Sequence, residues 1–212
     1  MNLINSWPFD GTFLDETNSS TAVPINNPSF VSNGYVRQAL SLTAATNQYM
    51  YTSYISLSGS SFTIEAWLYP TGFPNTRDHS IFSLCTVISI DSCLHLTIRK
   101  SGSAFNLYLD FYNDDCRGNT SITVNTWIHV TFVFDITIRQ QSIYPNGILD
   151  AARTATGIFT TTGGNATIGI IPAFIASAGN NFFQVKCLIC FRVLFQHSHD
   201  FPSYLLFIIG LY

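Results

Sequence analysis

The sequence predicts an all-β protein, and three observations carry that expectation. The 212-residue chain is rich in Ser, Thr, Asn, Phe and Tyr and sparse in Lys and Glu, a composition that suits strands and turns. β-Branched and aromatic side chains pack well on a pleated surface. Strand-like runs bounded by turn residues recur about every 10 to 15 residues, the pattern of a sandwich or barrel. No stretch of ten or more residues has helical periodicity, and there are no heptads and no repeat at a solenoid or propeller period.

Length and charge narrow the function classes. A chain of this length suits one medium-to-large domain with a real core, with or without an appendage, rather than two full domains. Charged residues make up 10% and the net charge is −3, so no basic field attracts nucleic acid or anionic lipid. Nucleic acid is disfavoured as a partner. Residues 1–6 (MNLINS) have neither a basic n-region nor an apolar h-region, so no signal peptide is visible and the start reads as internal.

The best strand is SFTIEAWLYPTG. Phe62, Ile64, Ala66 and Leu68 alternate with Thr63, Glu65, Trp67 and Tyr69, and Pro70 with Gly72 ends the run. Both faces carry apolar groups, which predicts a central strand. SIFSLC, CLHLTIRK and FNLYLDFYNDD then predict three strands with polar connections. In TWIHVTFVFD, Ile128, Val130, Phe132 and Phe134 alternate with Trp127, His129, Thr131 and Val133, a second central strand. In QQSIYPNGILDA, Asn146-Gly147 supplies the positive φ angles of a two-residue type I′ hairpin. Pro145 cannot donate to a ladder, which places that side of the hairpin at a sheet edge or bulge. NATIGI and NNFFQ predict two more short strands.

In their order and spacing, SWPFDGTFLDET, YMYTSYISLSGSSFTIEAWLYP, IFSLC with CLHLTIR, LYLDFYNDD, TWIHVTFVFD and YPNGILDA resemble the laminin-G-like jelly-roll domain of the concanavalin A-like lectin/glucanase superfamily. The resemblance covers residues 5–184. It implies a two-sheet antiparallel jelly-roll β-sandwich, found mostly in extracellular or cell-surface binding and adhesion proteins. The superfamily also includes glucanases, and fold alone does not decide between binding and hydrolysis. Such domains usually close with a strand of the type G-[YF]-[IV]-D, where this chain has Val185-Lys186-Cys187-Leu188. The expectation is therefore a domain over residues 1–184 that lacks its closing strand, a fragment, with a hydrophobic tail over residues 185–212 outside the family pattern.

Fifteen of the 28 tail residues are Phe, Leu, Ile, Tyr or Lys, types that AT-rich DNA tends to encode, and Gln184-Val185-Lys186 can be encoded across a splice junction. The tail thus reads as translated noncoding sequence, which sequencing of a spliced transcript tests. Some tail residues, for instance Leu188, could substitute locally in the vacated strand position, without good register. The terminal YLLFIIGLY is nine residues, against about 20 needed for a membrane span. Cys187 and Cys190 with His197 and His199 lack the spacing of a zinc finger.

Candidate chemistry is sparse. Retaining glucanases of this superfamily need paired carboxylates delivered from one strand, and no Glu-x-Asp-x-x-Glu pattern exists here. Glu65 and His129 could meet on one face of neighbouring strands. An acid-base role is conceivable, but a buried carboxylate on a central strand needs a partner in any case, so both read as fold residues. Trp7, Trp67 and Trp127 read as structural core. Asp10, Asp110, Asp114 and Asp115 are the candidate ligands for a hard cation, calcium, although Asp is also a common turn former. Loss of the closing-strand Asp weakens any site built on Asp10. Cys85 and Cys93 bracket a short excursion between consecutive strands and fit a disulfide formed in an oxidising compartment. Cys116 has no obvious mate. Asn18, Asn119 and Asn165 head glycosylation tripeptides, whereas Pro28 blocks the one at Asn27.

The resulting expectation is a non-enzymatic extracellular binding or adhesion module for a glycan or protein ligand. Alternatives are a glycoside hydrolase-like protein, and a structural spacer or nonfunctional truncated product.

Overall fold

The computed structural model describes residues 2–74, 78–171, 182, 183 and 185–195. Among these residues there are fifteen strands, one 3-10 turn (Ala44–Thr46) and no α-helix. The strands are β1 (Asn2–Trp7), β2 (Val23–Ile25), β3 (Ser29–Val31), β4 (Ala39–Leu42), β5 (Tyr49–Thr52), β6 (Phe62–Pro70), β7 (Asp78–Cys85), β8 (Cys93–Ser101), β9 (Ala104–Asp110), β10 (Asp115–Ser121), β11 (Ile128–Asp135), β12 (Gln140–Pro145), β13 (Ala151–Thr154), β14 (Ala166–Ile168) and β15 (Val185–Phe195). An eight-stranded sheet has the order β13-β12-β11-β6-β15-β4-β3, with β1 also paired to β15. A seven-stranded sheet has the order β10-β9-β8-β7-β14-β5-β2, and every pairing is antiparallel.

Alternation fixes which face each sheet buries. β6 and β11 pair without interruption from Phe62 opposite Phe134 to Leu68 opposite Ile128. Phe62, Ile64, Ala66, Leu68, Val130, Phe132 and Phe134 therefore share one face, and they join Phe82, Leu84, Leu94, Leu96, Ile98, Leu107 and Leu109 of the other sheet in one core. Full burial of such a side chain contributes about 1.5–3 kcal/mol, which makes the two inner faces the main source of stability. Polar side chains tie down the chain's start. Asp15 is buried and accepts hydrogen bonds from the Asn5 side-chain amide (2.7 Å), the Ser6 N–H (2.8 Å) and the Ser19 hydroxyl (2.6 Å).

Three local expectations change. Asn146 and Gly147 have φ of 49° and 76°, as a type I′ turn requires, and the Ile148 N–H closes that turn on Pro145 O at 3.1 Å. The β12–β13 ladder nevertheless resumes only at Ile143 opposite Ala151, so the hairpin is not a two-residue one. Asp150 causes the detour. Its carboxylate accepts hydrogen bonds from the Asn119 N–H (2.7 Å), the Thr120 N–H (3.1 Å) and the Thr120 hydroxyl (2.6 Å), so the returning chain is pinned to β10 of the other sheet. β12 lies inside the sheet, between β11 and β13, and Pro145 is tolerated because it ends β12 beyond the last β13 pair. Of the expected NNFFQ strand, Phe182 and Phe183 are buried outside any strand, with the Phe183 N–H bonded to Gly169 O at 3.0 Å; its other residues lie outside those described.

The largest difference is at the seam. The place expected to lack a closing strand is occupied by β15, between β6 and β4. Leu188 lies opposite Leu40 on one side and Leu68 on the other, and Val185 is fully buried. The fit is irregular: the β6 pairing shifts between Val185 and Cys187 and again between Ile189 and Arg192, whereas the β6–β11 pairing never shifts. Residues 196–212, including the two tail histidines, lie outside the described residues.

Candidate functional site

The face of the eight-stranded sheet turned away from the core carries an aromatic cluster. β6 places Trp67 and Tyr69 there by alternation with Ala66 and Leu68. Trp127 comes one residue before β11, and register sets His129 opposite Trp67. Tyr69 and Trp127 have ring centroids 5.3 Å apart, and Trp67 and His129 5.2 Å apart. The 32–38 connection between β3 and β4 adds Tyr35, whose ring stacks on Trp67 at 4.0 Å and meets Trp127 edge-on at 5.7 Å. Val31 and the buried Ala39 complete the patch beside Trp67, Tyr69 and Trp127. Trp67, Tyr69 and Trp127 are half-buried and Tyr35 is 51% exposed, so the rings are open to solvent in part. Exposed Thr123, Asn125 and Thr126 border Trp127 and provide hydroxyl and amide groups at the rim.

Two of the three tryptophans expected in the core are therefore elsewhere. Trp7 is fully buried in the main core, but Trp67 and Trp127 sit on the outward face because strand alternation opposes them to the apolar residues beside them. Beneath this cluster, Glu65 and His129 come together: Nε2 lies 3.6 Å from Oε2, and both side chains are almost wholly buried. Thr131, opposite Glu65 in the ladder, places its hydroxyl 3.5 Å from His129 Nδ1. This is an internal polar group under an aromatic layer, not a solvent-facing pair of catalytic carboxylates.

The acidic residues are distributed differently from a calcium cage. On the outward face of the seven-stranded sheet, Arg99 donates to Asp110 (3.0 Å), to Asp115 (3.1 Å) and to Asp78, and lies over the Tyr108 ring at 4.5 Å. The guanidinium supplies the positive charge a metal ion would bring. Burial, then Asp115, pushes the Asp110 carboxyl up to about 6. Burial pushes His95, beside Asp78, down to about 3. Asp114 points elsewhere, accepting from Arg153 at 2.7 Å and from the Thr156 N–H at 2.8 Å, and is held below the usual carboxylate range by those hydrogen bonds against the cost of burial. Asp10 is separate again, paired with Arg37 at 3.3 Å. Among the described residues no group of three or more His, Cys, Asp or Glu side chains could hold a metal ion, and these four do not fit calcium.

Cys85 and Cys93 stand opposite each other at the ends of β7 and β8 and form a disulfide. Cys116 is buried and free of any disulfide among the described residues, and burial pushes its thiol up to about 11. Asn18, Asn119 and Asn165 are all exposed. No described helix is long and apolar enough to cross a membrane. Tyr35 was not legible as a site residue, because its SNGYVRQ setting has no strand period. The alternation of Trp67, Tyr69 and Trp127 with apolar residues was legible, but it predicts two apolar faces of central strands, with Trp67 and Trp127 in the core.

Domain 4 of AbnA, a GH43 extracellular arabinanase from Geobacillus stearothermophilus solved with arabinotriose, superposes at a TM-score of 0.73 with 15% identity, over 99% of this chain and 98% of that one. The botulinum neurotoxin serotype C1 binding domain superposes at 0.66 with 12% identity, over 98% of this chain and 51% of that one. The botulinum neurotoxin DC binding domain in complex with rat synaptotagmin II gives 0.66 and 14%, over 99% and 51%. At these identities the likeness is one of fold, and this chain spans about half the length of the toxin domains. No curated protein sequence matches. A family profile of laminin-G type, described as the concanavalin A-like lectin/glucanases superfamily, matches residues 44–185 and so ends where β15 begins. That match spans most of the chain and agrees with the two-sheet antiparallel sandwich, and the protein belongs to the concanavalin A-like lectin/glucanases superfamily.

Proposed function

We propose that this protein is a non-enzymatic extracellular binding module that takes a glycan on the outward aromatic face of its eight-stranded sheet. The observation that carries this reading is the cluster of Tyr35, Trp67, Tyr69 and Trp127 outside the core, where aromatic area is retained at the surface with no part in the main sandwich packing. Indole and phenol rings offer broad apolar faces with polar edges, which suit the C–H faces and hydroxyl rims of sugars. Support comes from the neighbours: one was solved with arabinotriose, and cell entry of botulinum neurotoxin type C is described as dependent on two ganglioside molecules. The disulfide accords with an oxidising compartment. Glu65, the strand carboxylate nearest this face, is 3% exposed and turned to His129, which argues against a hydrolytic role.

A glycan array probed with wild type and with Trp67→Ala, each with and without calcium, tests the reading. Wild type is expected to bind with no dependence on calcium, and Trp67→Ala to lose affinity by roughly ten-fold, the effect of losing one well-packed aromatic contact. Glycan hydrolysis by the wild type would favour the hydrolase alternative instead.

A further inference from the structure

Resting on that glycan reading, we infer that Tyr35 is a displaceable cover over Trp67. The Tyr35 ring is centred 4.0 Å from Trp67 at an interplanar angle of 16°, the disposition a sugar ring would take against the indole. The two rings have unequal support. Trp67 belongs to β6, hydrogen-bonded along its length to β11 on one side and β15 on the other. Tyr35 belongs to the 32–38 connection, where every residue but Gly34 is exposed, and its hydroxyl makes no hydrogen bond among the described residues. Near its β4 end the connection is held by exposed groups. The Gly34 N–H bonds Arg37 O at 2.9 Å, and Asp10 accepts from the Gln38 N–H at 3.2 Å and from Arg37 at 3.3 Å, with the Arg37 side chain 77% exposed. Exposed ties of this kind open at small cost. One stacked ring pair shifts an equilibrium by a factor of roughly two to ten, within reach of a bound sugar.

Wild type, Tyr35→Ala and Tyr35→Phe, titrated calorimetrically with arabinotriose, cellotriose, mannotriose and the anionic sialyllactose, provide the test. Acrylamide quenching of tryptophan fluorescence in the ligand-free proteins gives a second readout. Tyr35→Ala is expected to be quenched more strongly and to bind at least one of these trisaccharides roughly two- to ten-fold more tightly than wild type. Tyr35→Phe, which keeps the ring over Trp67, should be quenched as wild type is. Quenching unchanged in Tyr35→Ala, or sugar binding no tighter than wild type, overturns the cover alone. If none of the three proteins binds any probe, the glycan reading itself fails and takes this inference with it.

Discussion

At the scale of single residues, His95 and Asp110 give the protein its most specific acid response. Burial holds His95 at about 3 against an ordinary value of 6.5, and burial with Asp115 holds Asp110 at about 6 against 3.8. From pH 6.5 down towards 3 the unfolded chain binds a proton at His95 that the folded chain refuses, so that contribution is present above 6.5 and lost as pH falls. Asp110 runs the other way: its contribution is full below 3.8 and lost as pH rises through 6. Over their shared window the two slopes, each about 1.4 kcal/mol per pH unit, cancel. Asp15 and Asp114, both held below 3.8, lose their contributions only in more acid solution. Asp110→Asn removes one of the two opposing slopes. Its melting temperature is expected to fall as the pH drops from about 6 to about 4 while that of wild type stays nearly level, and parallel profiles would contradict the pairing. None of this was readable from the sequence, where Asp110 is one of several strand-end carboxylates. Only the ladder brings Arg99 and His95 alongside it, through His95 opposite Asp110 and Arg99 opposite Asp78.

At the scale of elements, the β7–β8 hairpin and β15 make separable predictions. The Cys85–Cys93 bridge closes a short loop, so replacing both cysteines with Ala should cost about 2–3 kcal/mol in denaturant unfolding, with binding on the opposite sheet unchanged. That hairpin was legible because cysteines bound two strand-like runs on either side of a short excursion. β10 was harder to see: DCRGNTS is an edge strand whose exposed positions carry polar groups, and alternation of apolar residues is absent from it. β15 resisted sequence reading for another reason. Its residues, VKCLICFRVLF, have no period of two, because a strand paired on both sides and interrupted by register shifts does not separate an inner from an outer face by simple alternation. Ending the chain at Gln184 would expose β4 and β6 to water along their shared gap and leave β1 without its partner. Such a truncated protein is expected to lose its cooperative thermal transition by circular dichroism. A melt indistinguishable from that of the full chain would show that β15 contributes nothing to the fold.

At the scale of the whole molecule, the sandwich divides the core from the proposed recognition surface by the two faces of a single strand. On β6, Phe62, Ile64, Ala66 and Leu68 build the core while Trp67 and Tyr69 stand on the outer surface, so the proposed binding face can be altered without opening the interior. The expectation of a binding module on a two-sheet jelly roll rested on the order of the strands, and the same order accounts for the fold likeness to domain 4 of the arabinanase. What strand order could not indicate was which surface binds, because Tyr35 reaches Trp67 from a connection far away in sequence. The most direct test of the central claim is the affinity of Trp67→Ala for whichever oligosaccharide binds wild type most tightly on the array, measured together with its melting temperature. The account predicts a loss of roughly ten-fold in affinity with little change in melting temperature. Equal affinity in the two proteins would place the glycan elsewhere and contradict it.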